Sequence, residues 1–155
     1  MSKISVVILT YNEEVNLERC LQNVQKLNAD IFIVDSFSTD STLDIAKKYN
    51  CQVFQNKFVN HASQLNWAIE NVPFSSEWIL RLDADEYLSD SLIEEIKNNL
   101  SSISENINGI FFNRRVYFMN KWIRFGGYYP TKLLRLWRVG KAVCEQRWMD
   151  EHMKL

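Results

Sequence analysis

The sequence is poor in the residues that build glycine-rich phosphate loops, disulfide frameworks and membrane spans. It has four glycines and two prolines in 155 residues. It contains neither a G-x-G-x-x-G nor a G-x-x-x-x-G-K-[ST] pattern, which argues against a dehydrogenase or a P-loop NTPase. Its three cysteines are widely spaced and indicate free thiols in a reducing cytoplasm. No apolar run approaches the roughly 20 residues of a membrane-spanning helix.

Charge is distributed unevenly, although the formal net charge is only −1. Residues 1–110 carry 8 Lys and Arg against 16 Asp and Glu, whereas residues 111–148 carry 9 against one. The same basic stretch holds 10 of the 20 aromatic residues. No flexible linker separates the two parts. We therefore predict a single domain, 1–155, with an acidic half over 1–110 and a basic, aromatic half over 111–155.

Apolar runs alternate with helical patterns over the first hundred residues. The predicted strands and helices in turn are 4–9, 17–27, 31–34, 41–49, 51–55, 61–72, 77–82 and 90–100. Ser91 and Glu94 form a predicted capping box for the last helix. Residues 110–119 and 131–139 alternate apolar with basic or polar residues and predict two half-exposed strands. The pattern predicts an α/β fold with a mixed, mainly parallel sheet covered by helices on both faces.

Polar residues follow three of the predicted parallel strands. They are Thr10-Tyr11-Asn12, Asp35-Ser36 and Asp83-Ala84-Asp85. Because ligands bind at the carboxyl ends of such strands, we expect these residues to share one site. Two carboxylates in an Asp-x-Asp sequence repel each other unless a cation lies beside them, and Mg²⁺ is typically held by carboxylates plus substrate phosphates. The alternative is an acidic turn that caps the next helix.

These segments resemble a known enzyme family. Ser5–Glu14, Val34–Asp40 and Leu82–Asp85 resemble, in the same order, the motifs of family-2 glycosyltransferases with the GT-A fold. The pattern Gln64-x-Asn66-x-Ala68 is similar to the bacterial branch that builds lipopolysaccharide core and related surface glycans. The resemblance implies the following residues for nucleotide-sugar binding: Thr10, Tyr11, Glu13, Asp35, Asn66, Asp83, Ala84 and Asp85.

The resemblance also implies a reaction. It is the inverting transfer of a sugar from a UDP-sugar to a glycan or glycolipid, with Mg²⁺ or Mn²⁺ held by Asp85. An inverting transfer needs a carboxylate base. Asp150 and Glu151 are the only acids after Glu145, and we favour Asp150; His152 is a further candidate metal ligand. The alternative is a charged, frayed end, and since related chains usually continue further, we expect a truncated domain or a short version.

The basic, aromatic stretch suggests what the acceptor side contacts. Its cations suit an anionic glycolipid or an acidic membrane surface, which implies a cytoplasmic protein, peripheral at the inner membrane. An ordinary exposed strand pair is the alternative, and the acidic first half argues against nucleic acid. Two rival functions remain: a sugar nucleotidyltransferase, which usually has a glycine-rich first loop, and a nucleotide-sugar-binding module without turnover. The cations are Arg114, Arg115, Lys121, Arg124, Lys132, Arg135, Arg138 and Lys141.

Overall fold

A computed structural model describes residues 4–119, 121–127, 129–146 and 152–155. Single 3₁₀ turns follow the first and fourth helices, at Gln25–Leu27 and Leu100–Ser102. The helices and strands are β1 (Ile4–Thr10), α1 (Leu17–Val24), β2 (Asp30–Asp35), α2 (Thr42–Lys48), β3 (Gln52–Gln55), α3 (His61–Asn71), β4 (Trp78–Asp83), α4 (Asp90–Asn99), β5 (Gly109–Arg114), β6 (Val116–Phe118), β7 (Lys121–Ile123), β8 (Thr131–Arg138), β9 (Val143–Cys144) and β10 (Met153–Lys154).

The main sheet has six strands in the order β3-β2-β1-β4-β8-β5. The first four of these pair in parallel, so their carboxyl ends meet along one side, which we call the carboxyl edge. β8 runs antiparallel to both β4 and β5. Consequently β5 ends, and β8 begins, at the same carboxyl edge, where Arg114 pairs with Thr131.

Helices cover both faces of this sheet, as predicted. On one face, α1, α2 and α4 pack on strand residues such as Val6 and Ile8. On the other face, α3 packs on their alternate neighbours, including Val7. The alternation arises because successive side chains of a strand point to opposite faces. Among the described residues, no helix is both long enough and apolar enough to cross a bilayer.

The basic half departs from the predicted elements. The expected strand over 110–119 is two strands, β5 and β6, separated at Arg115, and β6 turns back to pair with β7. β9 and β10 form a second small sheet that the pattern did not predict. Such short strands are specified by their pairing partners more than by their own composition.

The predicted capping box of α4 is wrong. Ser89 caps this helix, because its hydroxyl accepts a hydrogen bond from the backbone N–H of Leu92 at 3.2 Å. Ser89 has the extended backbone typical of a cap, with φ −67° and ψ 149°. Ser91 lies one residue inside the helix, so its hydroxyl does not take the capping position.

Candidate functional site

The loops that follow β1 and β2 are bound to each other at the carboxyl edge. Asn12 donates its backbone N–H to Ser38 Oγ at 2.9 Å, and its side-chain oxygen accepts from the N–H of Thr39 at 2.8 Å. The backbone N–H of Glu13 donates to Thr42 Oγ1 at 2.8 Å. Asn12 has a left-handed backbone, φ 53°, which asparagine tolerates better than most residues. These bonds fix the loop that carries Tyr11 and Glu13.

Asp35 is fully buried at the end of β2 and is surrounded by donors. One carboxylate oxygen accepts from Thr10 Oγ1 at 2.9 Å and from the Ser38 hydroxyl. The other accepts from the Ser38 N–H at 2.8 Å and from Gln55 Nε2 at 3.3 Å. A carboxylate has about four acceptor positions, so those of Asp35 are occupied. Contact with a nucleotide therefore requires one donor to turn away, and it stays a prediction.

Two aromatic rings are exposed beside this buried carboxylate. Tyr11, after β1, is 61% exposed, and Phe37, after β2, is 54% exposed. Phe37 has φ 61°, an unfavourable conformation for a bulky residue that is often found at functional sites. Sequence reasoning missed Phe37, although an aromatic residue between Ser36 and Ser38 in a polar loop was a usable indication. Exposed rings of this kind suit stacking on a planar base.

Two arginines hold the acidic loop after β4. Asp83 lies between Arg81 at 3.1 Å and Arg135 at 3.2 Å, and Arg135 also pairs with Glu86 at 2.6 Å. The arginine side chains are only 13% and 9% exposed, whereas that of Asp83 is 39% exposed. The prediction that Arg135 contacts an external anion is therefore wrong, because its nearly buried guanidinium is paired with Asp83 and Glu86 of the same chain.

Arg138 is also engaged within the chain. Its guanidinium forms an ion pair with Glu77 and lies over the ring of Trp78, with 4.4 Å between the guanidinium carbon and the ring centroid. The side chain of Arg138 is 14% exposed. This residue, like Arg135, is therefore not part of an outward basic surface.

The pKa values of the two acids bound by Arg135 are shifted in opposite directions. Burial disfavours the charged form of Asp83, but the nearby Arg81 and Arg135 outweigh it, so the pKa of Asp83 lies below its ordinary value. Burial raises the pKa of Glu86, because the attraction of Arg135 and the hydrogen bond from the backbone N–H of Asp83 do not compensate for it and the Asp83 carboxylate is a like charge. The arrangement keeps Asp83 ionised and bound.

Asp85 differs from Asp83, because its side chain is exposed and no described residue hydrogen-bonds to its carboxylate. Its backbone is nevertheless fixed, since Arg19 of α1 donates to the carbonyl oxygen of Asp85 at 3.0 Å. Asn23, also on α1, exchanges two hydrogen bonds with the backbone of Leu88, at 3.0 and 2.7 Å. Ala84, between the two acids, is buried in the core. Asp85 thus presents an open carboxylate on a fixed loop.

A cation at this loop would need oxygens from a bound molecule. Within the described part of the chain, no three His, Cys, Asp or Glu side chains are grouped as a metal site. Asp85 together with phosphate oxygens would match the usual way Mg²⁺ is held, so the residues fit the predicted cation. The side chain of His152 is exposed, and its carbonyl oxygen accepts from the N–H of Glu145 at 2.9 Å. Its role as a metal ligand stays a prediction.

Asn66 has a partner within the chain. Its amide nitrogen donates to the carbonyl of Cys144, and its oxygen accepts from the Cys144 N–H, both at 2.8 Å. It thereby fastens β9 to α3, and its predicted contact with a nucleotide-sugar stays a prediction. Asp150 and Glu151, the predicted base candidates, lie outside the described residues.

Comparisons with known proteins give a consistent result. The model of the glycosyl transferase family 2 matches residues 5–149. The lipopolysaccharide core biosynthesis glycosyltransferase LpsC of Rhizobium meliloti is 32% identical over 90% of this chain and 52% of its own length. An uncharacterized glycosyltransferase of Rickettsia typhi is 36% identical over 63% of this chain and 32% of its own length. The chain thus spans about a third to a half of these relatives.

Solved structures share the fold. Staphylococcus aureus TarS in complex with UDP superimposes with a TM-score of 0.55 and 26% identity, over 64% of this chain and 32% of that one. The mannosyltransferase PcManGT of Pyrobaculum calidifontis, in complex with GDP-Man and Mn²⁺, gives a TM-score of 0.54 and 21% identity, over 69% and 34%. These likenesses confirm the predicted GT-A architecture.

Proposed function

Because the chain belongs to glycosyl transferase family 2, we propose that it takes a sugar from a UDP-sugar and transfers it to a glycan or glycolipid of the cell surface. The observation that carries this proposal is the open Asp85 carboxylate at the carboxyl edge, on a loop that α1 and Arg135 hold in place. LpsC is named for lipopolysaccharide core biosynthesis and TarS was solved with UDP, which supports this choice of acceptor and donor.

The donor site would use the loops of the carboxyl edge. The exposed rings of Tyr11 and Phe37 suit the two sides of uracil. Thr10 and Asp35 would form the floor of this base pocket, because both are buried and hydrogen-bonded to each other. Asp83 retains an exposed side that is suited to accept a hydrogen bond from a ribose hydroxyl.

The diphosphate would lie at Asp85. This carboxylate, with phosphate oxygens, would hold Mg²⁺ or Mn²⁺, as its exposure and lack of a described partner allow. A divalent cation at that position would stabilise the charge that develops on the leaving UDP. Because Arg81 and Arg135 already neutralise Asp83, Asp85 is the acid of the pair that we assign to the cation.

We assign the general base to Asp150 or Glu151. What supports this assignment is that the chain approaches α3 shortly before them, since Gln146 Nε2 donates to Ser63 Oγ at 3.2 Å in the first turn of that helix. This helix begins at the carboxyl edge, because it follows β3. The base would accept the proton of the acceptor hydroxyl as its oxygen attacks the anomeric carbon and UDP leaves, which inverts the configuration.

The proposal is tested with a panel of nucleotide-sugars, each with and without Mn²⁺. We expect one UDP-sugar to raise the melting temperature more than UMP does, because a ligand that binds only the folded state stabilises it. UDP release from that donor should then increase when a core glycolipid acceptor is added. Binding without any release would indicate a binding module, and stabilisation by no UDP compound would refute the proposal.

A further inference from the structure

A small hairpin stands outside the main sheet and presents apolar side chains to solvent. It consists of β6 and β7, paired antiparallel with Val116 opposite Ile123, and we call residues 114–119 with 121–125 the basic hairpin. Phe118, Met119 and Phe125 are 65%, 81% and 85% exposed. Large apolar side chains that are left this exposed along one short segment are typical of a contact with another surface.

The same hairpin carries cations that no described acid neutralises. Arg114 and Lys121 are exposed, and within the described part of the chain neither forms an ion pair. The sequence contains no Asp or Glu between Glu105 and Glu145. Cations next to exposed aromatic and apolar side chains are complementary to an anionic lipid surface, where headgroups attract the charges and the interface accommodates the rings.

The centre of the basic hairpin is ordered by ring contacts. The guanidinium carbons of Arg115 and Arg124 lie 4.9 and 4.3 Å from the ring centroid of Trp122. Tyr129 packs edge-on against the same ring, with 5.1 Å between the centroids. Cation–π contacts hold the two arginines beside Trp122, so little side-chain entropy is lost when they meet a charged surface.

The position of the basic hairpin relates it to the donor site. The hairpin connects the end of β5 to the start of β8, and Arg114 pairs with Thr131 where these strands reach the carboxyl edge. Asp85 lies at the same edge, after β4. A surface that contacts the hairpin is therefore on the side of the sheet where the donor is proposed to bind.

We propose that the basic hairpin docks on an anionic lipid bilayer. Phe118, Met119 and Phe125 enter the interface between headgroups and acyl chains, while Arg114 and Lys121 contact the headgroups. Docking directs the carboxyl edge toward the membrane, so the acceptor is a lipid-borne glycan and not a free oligosaccharide. Only this last step rests on the proposed transferase function; the docking itself does not.

Vesicle co-sedimentation tests the proposal with the unmodified protein. We expect binding to phosphatidylcholine vesicles that contain about 30% phosphatidylglycerol, much weaker binding to pure phosphatidylcholine, and loss of binding at about 1 M salt. Equal binding to both vesicle types, or no binding to either, would overturn the proposal. The exposed rings of the basic hairpin would then belong to a contact with carbohydrate or protein.

Variants locate the contact. Arg114→Gln with Lys121→Gln should weaken binding to the anionic vesicles by about 30-fold. Phe118→Ser with Phe125→Ser should weaken it at least about tenfold. The matched control is Val139→Ser with Lys141→Gln, an exposed apolar residue and a cation of the same basic stretch at the opposite edge of the sheet. Equal effects of the control and the hairpin variants would overturn the proposal.

A parallel measurement separates this proposal from the proposed function. UDP binding in the presence of Mn²⁺ should be the same in the hairpin variants and the unmodified protein, because their side chains are not part of the donor site. Vesicle binding without UDP binding would refute the transferase function and leave the docking intact. UDP binding without vesicle binding would refute the docking and leave the proposed transferase function intact.

Discussion

At the residue scale, the acidic loop after β4 depends on the guanidinium of Arg135. Arg135→Met removes the charge and keeps much of the volume, so Asp83 and Glu86 lose their shared partner. We expect the free energy of unfolding to fall by about 2–3 kcal/mol, as measured by urea denaturation. Lys132→Met, at an exposed position of the same strand, should change it by less than about 0.5 kcal/mol. An unchanged unfolding midpoint for Arg135→Met would contradict the assignment.

The lowered pKa of Asp83 makes its contribution dependent on pH. A carboxyl group whose pKa is lower in the folded state stabilises the protein above its ordinary pKa, and this contribution is lost as the pH falls through the folded value. Asp83→Asn should therefore cost about 1 kcal/mol at pH 7 and progressively less below about pH 4. The difference in unfolding free energy from the unmodified protein measures this. A difference that grows toward low pH would contradict a lowered pKa of Asp83 in the folded state.

At the scale of elements, Asn66 links α3 to β9. Asn66→Ala removes the two hydrogen bonds that this side chain makes to the backbone of Cys144 and should cost about 2 kcal/mol of stability. If Asn66 acts by holding β9, turnover should fall while UDP affinity stays the same. A loss of UDP affinity would instead support a direct nucleotide contact. Asn71→Ala, at the exposed end of the same helix, is the control and should leave stability, turnover and UDP affinity unchanged.

Elements differ in how far the sequence predicts them. β1, β2 and β4 are buried on both faces, so their apolar runs define them without knowledge of their partners. β6 and β7 have three residues each, and each strand forms only by pairing with the other. Arg135 shows the same limitation within β8: it is a buried cation whose partners, Asp83 and Glu86, come from a distant part of the sequence. Hydrogen bonds between distant residues, such as Asn66 with Cys144, leave no local pattern.

At the scale of the whole molecule, the fold brings residues of the acidic half and of the basic half to the same edge of the sheet. Asp35 of the acidic half ends β2 and Asp83 ends β4 at the carboxyl edge, and Asp85 follows directly after β4. The basic hairpin leaves the sheet at that same edge. Opposite charges far apart in sequence therefore lie on one side of the fold. Such a distribution suits a reaction between an anionic donor with its cation and an anionic acceptor surface.

The central claim is that Asp85 binds a diphosphate through a divalent cation. Isothermal titration calorimetry of UDP, with and without Mn²⁺, tests it most directly. We predict that Mn²⁺ strengthens UDP binding to the unmodified protein and to Glu95→Gln, a neutralised carboxylate on the exposed side of α4. In Asp85→Asn, Mn²⁺ should give no gain in affinity. Equal gains in Asp85→Asn and the unmodified protein, or UDP binding that Mn²⁺ does not affect, would contradict the claim.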